Sequence, residues 1–295
     1  MILPAIIKYM EHWLLYSALS ILVMSIFYVL TKKILNAGTD PILYSTTLQL
    51  STGVLALIVA LIWGFSFVFS PASIILLIIA TIIYNIAPII YYTGLQKVEL
   101  SESIILESSG VFWAIMAGFI LLHEAITPVK FAAALLIFIA ILMISNIDFR
   151  KWHFSKYELM ILASSIIYVL GAMVDKVLLP YSNPISYTAV SFLVAGLTMA
   201  LIHFKHLYKL KRTKQINKGF ILKLLTNAGF LVLNFTLIFS AYDSGGEASR
   251  VYAIVHLQVV IIALLGIIFL KERKHLGRKL LALVMAFIGI MMMGG

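Results

Sequence analysis

Apolar residues run through this chain in long blocks, broken by short polar stretches. A helix needs roughly 20 mostly apolar residues to cross the hydrocarbon core of a bilayer. Ten segments are candidates: 13–31, 42–63, 72–95, 103–122, 129–147, 158–179, 185–204, 219–242, 248–270 and 280–293. The breaks carry turn and helix-start chemistry, as in Asn36-Ala37-Gly38-Thr39-Asp40-Pro41, Ser70-Pro71, Thr127-Pro128, Asn183-Pro184 and Gly245-Gly246. Most breaks are short, which predicts antiparallel neighbours and leaves no room for a soluble domain.

Composition makes lipid the solvent. Of 295 residues, 62% are hydrophobic and 12% charged, against about half and a quarter in soluble domains. One soluble core could not hide that much apolar surface. With no cysteine, disulfides and thiolate sites are excluded. The net charge of +10 would suggest nucleic acid in a soluble protein. Here the basic residues sit in loops, where they orient spans and meet anionic lipid, so no nucleic-acid partner is expected. Lys8 and Glu11 precede a segment long enough to span, so a cleaved signal is not expected.

The chain also repeats. Residues 98–124 lie over 246–272 without a gap, matching Glu99 with Glu247, Ser101 with Ser249, Val111 with Val259, Gly118 with Gly266 and Glu124 with Glu272. A second echo sets Ser25-Ile26-Phe27-Tyr28-Val29-Leu30 against Ser165-Ile166-Ile167-Tyr168-Val169-Leu170. Each is followed by Pro-Ile and a Tyr, at Pro41 and Tyr44 and at Pro184 and Tyr187. Each repeat holds five spans, an odd number, so one must be inserted upside down relative to the other. Inverted repeats with a site between them are common in secondary transporters.

The chain resembles the drug/metabolite transporter superfamily in its ten-helix EamA-type branch. The carrying residues are Ser101-Glu102-Ser103, Gly118 and His123-Glu124 in the first repeat, and Ala248-Ser249, Gly266 and Lys271-Glu272 in the second. The related small multidrug resistance proteins place a Glu in the first helix, two turns before a Lys. Here Met24 and Ser25 stand there, before Lys32 and Lys33. The resemblance implies an all-α integral membrane protein of ten transmembrane helices, built as two inverted five-helix repeats, 1–148 and 149–295.

Ionisable groups inside a span cost roughly 2.5–3.5 kcal/mol on insertion scales. Glu107 lies in the fourth span on a face of small residues continuing through Ser103, Gly110 and Ala114. His256 lies in the ninth, opposite Ser108 in the repeat, with Tyr252 one turn before it. Asn85, three residues before Pro88, and Asn234 recur in the third and eighth spans. Asn in membranes also serves as interhelical glue worth ~1 kcal/mol. Tyr28 and Tyr168 are paired by the second echo. Together Glu107, His256, Asn85, Asn234, Tyr252, Tyr28 and Tyr168 form the candidate substrate-binding set. The bland alternative for each is a satisfied structural group. Trp13 and Trp63 read as interfacial anchors and Asp175-Lys176 as a span end that pairs or snorkels. Glu102 and Arg250 align as two helix ends, either solvated or forming a gate.

No metal-ligand spacing, phosphate loop or nucleophile elbow occurs, so no cofactor, metal or enzymatic activity is expected. No repeated filter or charged ring points to a channel. The expectation is a secondary-active transporter of a small metabolite (an amino acid, an amine or similar), multi-pass in the plasma (inner) membrane. It would work by alternating access, with a coupled proton and membrane lipid as partners. A lipid or lipid-linked flippase of the same fold is the alternative, and a polytopic membrane enzyme a weaker one. Most of the 22 Lys and Arg residues fall in loops after odd-numbered spans, which puts both termini outside the cytoplasm. Reporter fusions in the 205–218 loop should be active in the cytoplasm; a C-terminal fusion active there would reverse the orientation.

Overall fold

A computed structural model describes residues 12–123, 127–144, 154–210, 216–271 and 276–294. Lys8, Glu11, Glu124, Glu272 and the repeat boundary at 148 and 149 lie outside them. The described residues are helical almost throughout. The first half holds α1 (His12–Asn36), α2 (Pro41–Trp63), α3 (Pro71–Leu95), α4 (Leu100–Glu107), α5 (Ser109–Leu122) and α6 (Pro128–Ile144). The second holds α7 (Lys156–Leu178), α8 (Pro184–Ile202), the short α9 (Phe204–Leu210), α10 (Lys218–Asp243), α11 (Ala248–Val255), α12 (Gln258–Phe269) and α13 (Leu276–Gly294). Counting α4–α5 and α11–α12 as one span each, eight helices among the described residues are long and apolar enough to cross a membrane. At 17 residues α6 is shorter. It packs along α13, and the two are the fifth and tenth long segments of the order read from sequence.

Helices start where the sequence punctuates. Asp40 caps α2, its Oδ1 accepting from the backbone N–H groups of Ile42 (3.0 Å) and Leu43 (2.9 Å), with Pro41 at the first position. Ser70 with Ser73 and Ser155 with Glu158 form capping boxes on α3 and α7. Asn183 and Asn217 cap α8 and α10. Each cap satisfies N–H groups that lipid could not.

The surface is inverted relative to a soluble protein. Leu61, Ile62, Leu201 and Ile268 are exposed, while Ser17, Ser20, Thr46, Thr52, Ser164 and Asn227 are buried. Small and polar residues hold helices together inside, and the large apolar ones face hydrocarbon.

Packing repeats along with the sequence. α1 lies along α10 as α7 lies along α3; α12 packs on α1 as α5 packs on α7; α11 meets α5 as α4 meets α12. The α2–α8 and α6–α13 pairs map onto themselves. Two glycines bring α2 and α8 together. A Cβ on Gly53 would lie 2.5 Å from the Leu193 nitrogen, and one on Gly196 2.8 Å from the Leu50 nitrogen. These two contacts exchange when the halves exchange. Gly229 has open space where its Cβ would be.

The register of the second sequence echo is off by one helical turn. The Lys32 ammonium donates to the carbonyls of Leu95 and Val98 (2.5 and 2.6 Å), and Lys176 to those of Tyr242 and Gly246 (2.9 and 2.7 Å). Thr31 meets Tyr44 as Asp175 meets Tyr187. Lys32 therefore matches Lys176, and Tyr28 matches Ala172 rather than Tyr168. Four residues is about one turn of the same helix face, so both tyrosines still look inward. Trp13 is another correction: it is buried, with the Arg250 guanidinium 5.7 Å from its ring, whereas Trp63 is exposed. Glu102 faces Glu158 instead, so Glu102 and Arg250 do not form one gate.

The glycine crossing gives a prediction. Gly53→Ala and Gly196→Ala each push α2 from α8 and should cost about 1–3 kcal/mol by overpacking, read as a lower thermal midpoint in detergent. Gly229→Ala should leave the midpoint unchanged or raise it. Equal midpoints for all three would remove the close crossing as a stabilising feature.

Candidate substrate site

A cavity of about 150 Å³ lies between the halves. One water needs roughly 10–15 Å³ of such space, so the cavity holds a cluster of waters or a small organic molecule. Its walls come from α1, α2, α3 and α4, from their counterparts α7, α8, α10 and α11, and from the start of α12.

Both helices that carry the sequence-predicted ionisable groups are broken beside them. α4 ends at Glu107 and α5 begins at Ser109; α11 ends at Val255 and α12 begins at Gln258. The fourth and ninth spans are thus not continuous, as the apolar pattern had implied. Local hydrogen bonding explains the breaks. The Ser108 hydroxyl donates to the Ile104 carbonyl (3.0 Å), competing with the helix ladder, and Val111 N–H bonds back only to Ser108 (3.0 Å). In the second half, His256 Nδ1 lies 2.8 Å from the Tyr252 carbonyl, which also receives the His256 N–H (3.1 Å).

Glu107 is buried. Its Oε1 accepts from the Tyr28 hydroxyl at 2.7 Å, and its Oε2 has no hydrogen-bond partner. The Tyr91 hydroxyl stands beside the carboxyl and interacts with it. His256 stacks on Tyr252, with centroids 4.2 Å apart and planes at 21°. A carbonyl can only accept, so Nδ1 carries the proton toward Tyr252. The buried Nε2 is left without a partner. Gly110 lets the second half reach the first, because a Cβ there would sit 2.5 Å from the Tyr252 hydroxyl. Tyr28, Tyr91 and Tyr168 pack edge to face at 6.1 and 6.2 Å, forming an aromatic wall.

Of the predicted residues, Glu107, His256, Asn234, Tyr252, Tyr28 and Tyr168 line this cavity. Asn234 Oδ1 is buried without a partner. Asn85 is elsewhere. Its amide donates to the Thr81 carbonyl (2.7 Å) and the Thr198 hydroxyl (2.8 Å), tying α3 to α8. The proline after it matters more. Pro88 has no N–H for the Tyr84 carbonyl one turn back, and Gln49 of α2 supplies the missing donor at 2.9 Å.

Sequence reasoning missed Asp175. It is a buried cavity residue rather than a snorkelling span end. Tyr187 donates to its Oδ1 at 2.5 Å and Tyr84 to its Oδ2. The available signal was the same as for Glu107: a carboxyl inside an apolar helix. The neighbouring Lys176 obscured it by suggesting an ion pair. No Lys or Arg lines the cavity, and neither carboxyl has an ion-pair partner among the described residues. No group of three or more His, Asp or Glu able to hold a metal occurs among them.

Comparison with known proteins agrees with this architecture. Solved structures of the same fold exist, 28 matching chains among them. One, titled "Crystal structure of protein", superposes with a TM-score of 0.69 over 94% of this chain and 95% of that chain at 12% identity. That likeness speaks for the fold alone. No curated protein matches the chain. The model of the EamA-like transporter family matches twice in succession, over residues 12–146 and 155–295. Two family repeats spanning nearly the whole sequence place it: the chain belongs to the EamA-like transporter family, as a multi-pass membrane transporter of small molecules.

Proposed function

We propose that this protein is a secondary-active carrier of a small amine-bearing metabolite. The reading rests on one observation: a carboxyl-bearing, tyrosine-walled cavity between the two repeats that no Lys or Arg among the described residues lines. Glu107, Asn234, His256, Gln49 and Gln258 each bring a buried polar atom without a partner to its walls. Leaving such an atom unmet costs about 1–3 kcal/mol, so their clustering favours a polar occupant. An ammonium suits the set, since it donates to carboxylate, amide and neutral imidazole acceptors and is attracted to tyrosine faces.

In this reading the halves, 1–148 and 149–295, are inverted five-helix repeats, α6 and α13 completing ten spans. The symmetric packing and the exchange of Gly53 and Gly196 contacts support it. Rocking of one repeat against the other then alternates access to a site both repeats build. The location is the plasma (inner) membrane, with both termini outside.

Glu107 supplies the coupling. A bare carboxylate in an apolar interior needs a compensating charge. Either a proton or the substrate ammonium provides it, and the two compete for one carboxyl. Binding on one side releases the proton there; its return on the other side displaces the substrate. His256 offers Nε2 as a further acceptor, its ring held by Tyr252.

Thermal-shift screening of the purified protein against amino acids, amines, nucleosides and sugars tests the class. Amines should raise the midpoint, since ligand at about 100 times Kd stabilises by about 2.7 kcal/mol; stabilisation only by nucleosides or sugars would refute it. In reconstituted vesicles, Glu107→Gln should lose uptake driven by a pH gradient. Unchanged uptake, exchange and binding in both Glu107→Gln and His256→Ala would make the two residues structural. Gly110→Ala should displace Tyr252 from His256 and weaken amine binding while the protein stays folded; wild-type affinity would show that the Tyr252 placement is not needed.

A further inference from the structure

Asp175 is a second carboxyl in the same cavity, and holding the fold together does not account for it. The pseudo-equivalent junction in the other half is built without an acid. There Thr31 and Tyr44 share a hydrogen bond of 2.8 Å, and the Asn227 amide donates to Tyr44 (2.7 Å) and Thr31 (3.0 Å). That neutral trio joins α1, α2 and α10 as Asp175, Tyr187 and Tyr84 join α7, α8 and α3. Tyr44 and Tyr187 hold the same position in their helices, three residues after Pro41 and Pro184. A hydroxyl suffices at this place in the fold, whereas a carboxyl in a span carries an insertion cost a hydroxyl avoids. Asp175 keeps that cost, 2% exposed and with no cation beside it among the described residues.

One helix reaches both acids. Tyr84 donates to Asp175, and Tyr91 stands beside Glu107. Both tyrosines belong to α3 and are seven residues apart, which is about 10 Å along a helix. The cavity walls include aromatic side chains, Tyr168, Phe235 and Tyr252 among them. We infer that the cavity takes a doubly cationic substrate, a linear α,ω-diamine, with one ammonium at Glu107, the other at Asp175, and the methylene chain along the aromatic wall. This rests on the amine-carrier reading and narrows it. A zwitterion fits less well, because its carboxylate would face two acids with no Lys or Arg to receive it.

The test measures binding to the detergent-purified full chain by calorimetry. The probes are α,ω-diaminoalkanes of four to eight carbons and n-alkylamines of matching length. A second charge-assisted contact should make the best diamine about tenfold or more tighter than its monoamine, with affinity peaking at one chain length. Asp175→Thr copies the neutral junction of the other half; it should stay folded by thermal midpoint and bring the diamine-to-monoamine ratio down to about one. Diamines no tighter than monoamines would overturn the two-charge site and leave the amine carrier standing. Binding by neither would overturn both. A retained diamine preference in Asp175→Thr would refute the role of Asp175. So would unfolding of both Asp175→Thr and the near-isosteric Asp175→Asn, which would make the carboxyl structural.

Discussion

Hydrocarbon offers polar groups no hydrogen bonds, and the arrangement of this protein follows from that constraint. Backbone groups close on themselves in helices. At helix starts, Asp40, Ser70, Ser155, Asn183 and Asn217 satisfy N–H groups that the helix leaves over. At carboxyl ends, the Lys32 and Lys176 ammonium groups take carbonyls. At Pro88, Gln49 replaces the donor that the proline lacks. Several of these partners come from another helix, and each of those also fixes how two helices cross. Unpartnered atoms also occur away from the cavity, at Thr46, Thr52, Asn85, Asn227 and Thr236, so it is the gathering of several at one cavity that carries the functional reading.

The same constraint explains what could be read in the sequence. Apolar runs and Pro-led starts gave the spans, because length and capping chemistry are local. α2, α3 and α8 begin within about one residue of their expected starts. Glu107 and His256 stood out because an ionisable group in an apolar run is rare. Their clustering with Tyr28, Tyr168, Tyr252 and Asn234 could be guessed from the repeat. What failed depended on tertiary context. Two spans break at Ser108 and His256 because side chains compete for backbone carbonyls, which hydropathy does not register. The Tyr28–Tyr168 match slipped by a turn because apolar helices resemble themselves after every turn; only the lysine caps show the true register. Asn85 and Asn234 have the same residue type and similar positions, yet one finds Thr198 and the other the cavity.

Symmetry and its departures divide the labour. The α2–α8 crossing maps onto itself, and the lysine caps and the broken helices occur once in each half, so the two repeats present matched contacts. The chemistry is not duplicated. Glu107 in α4 stands where the second half has the Val255–His256 step, and Asp175 in α7 where the first half has Thr31. A carrier with identical halves would present equal charges in both. Here an acid stands against an imidazole at the broken helices and an acid against a hydroxyl at the three-helix junctions. In the proposed carrier, symmetric packing would let the scaffold alternate, and the unequal acids would let the cavity choose a cation.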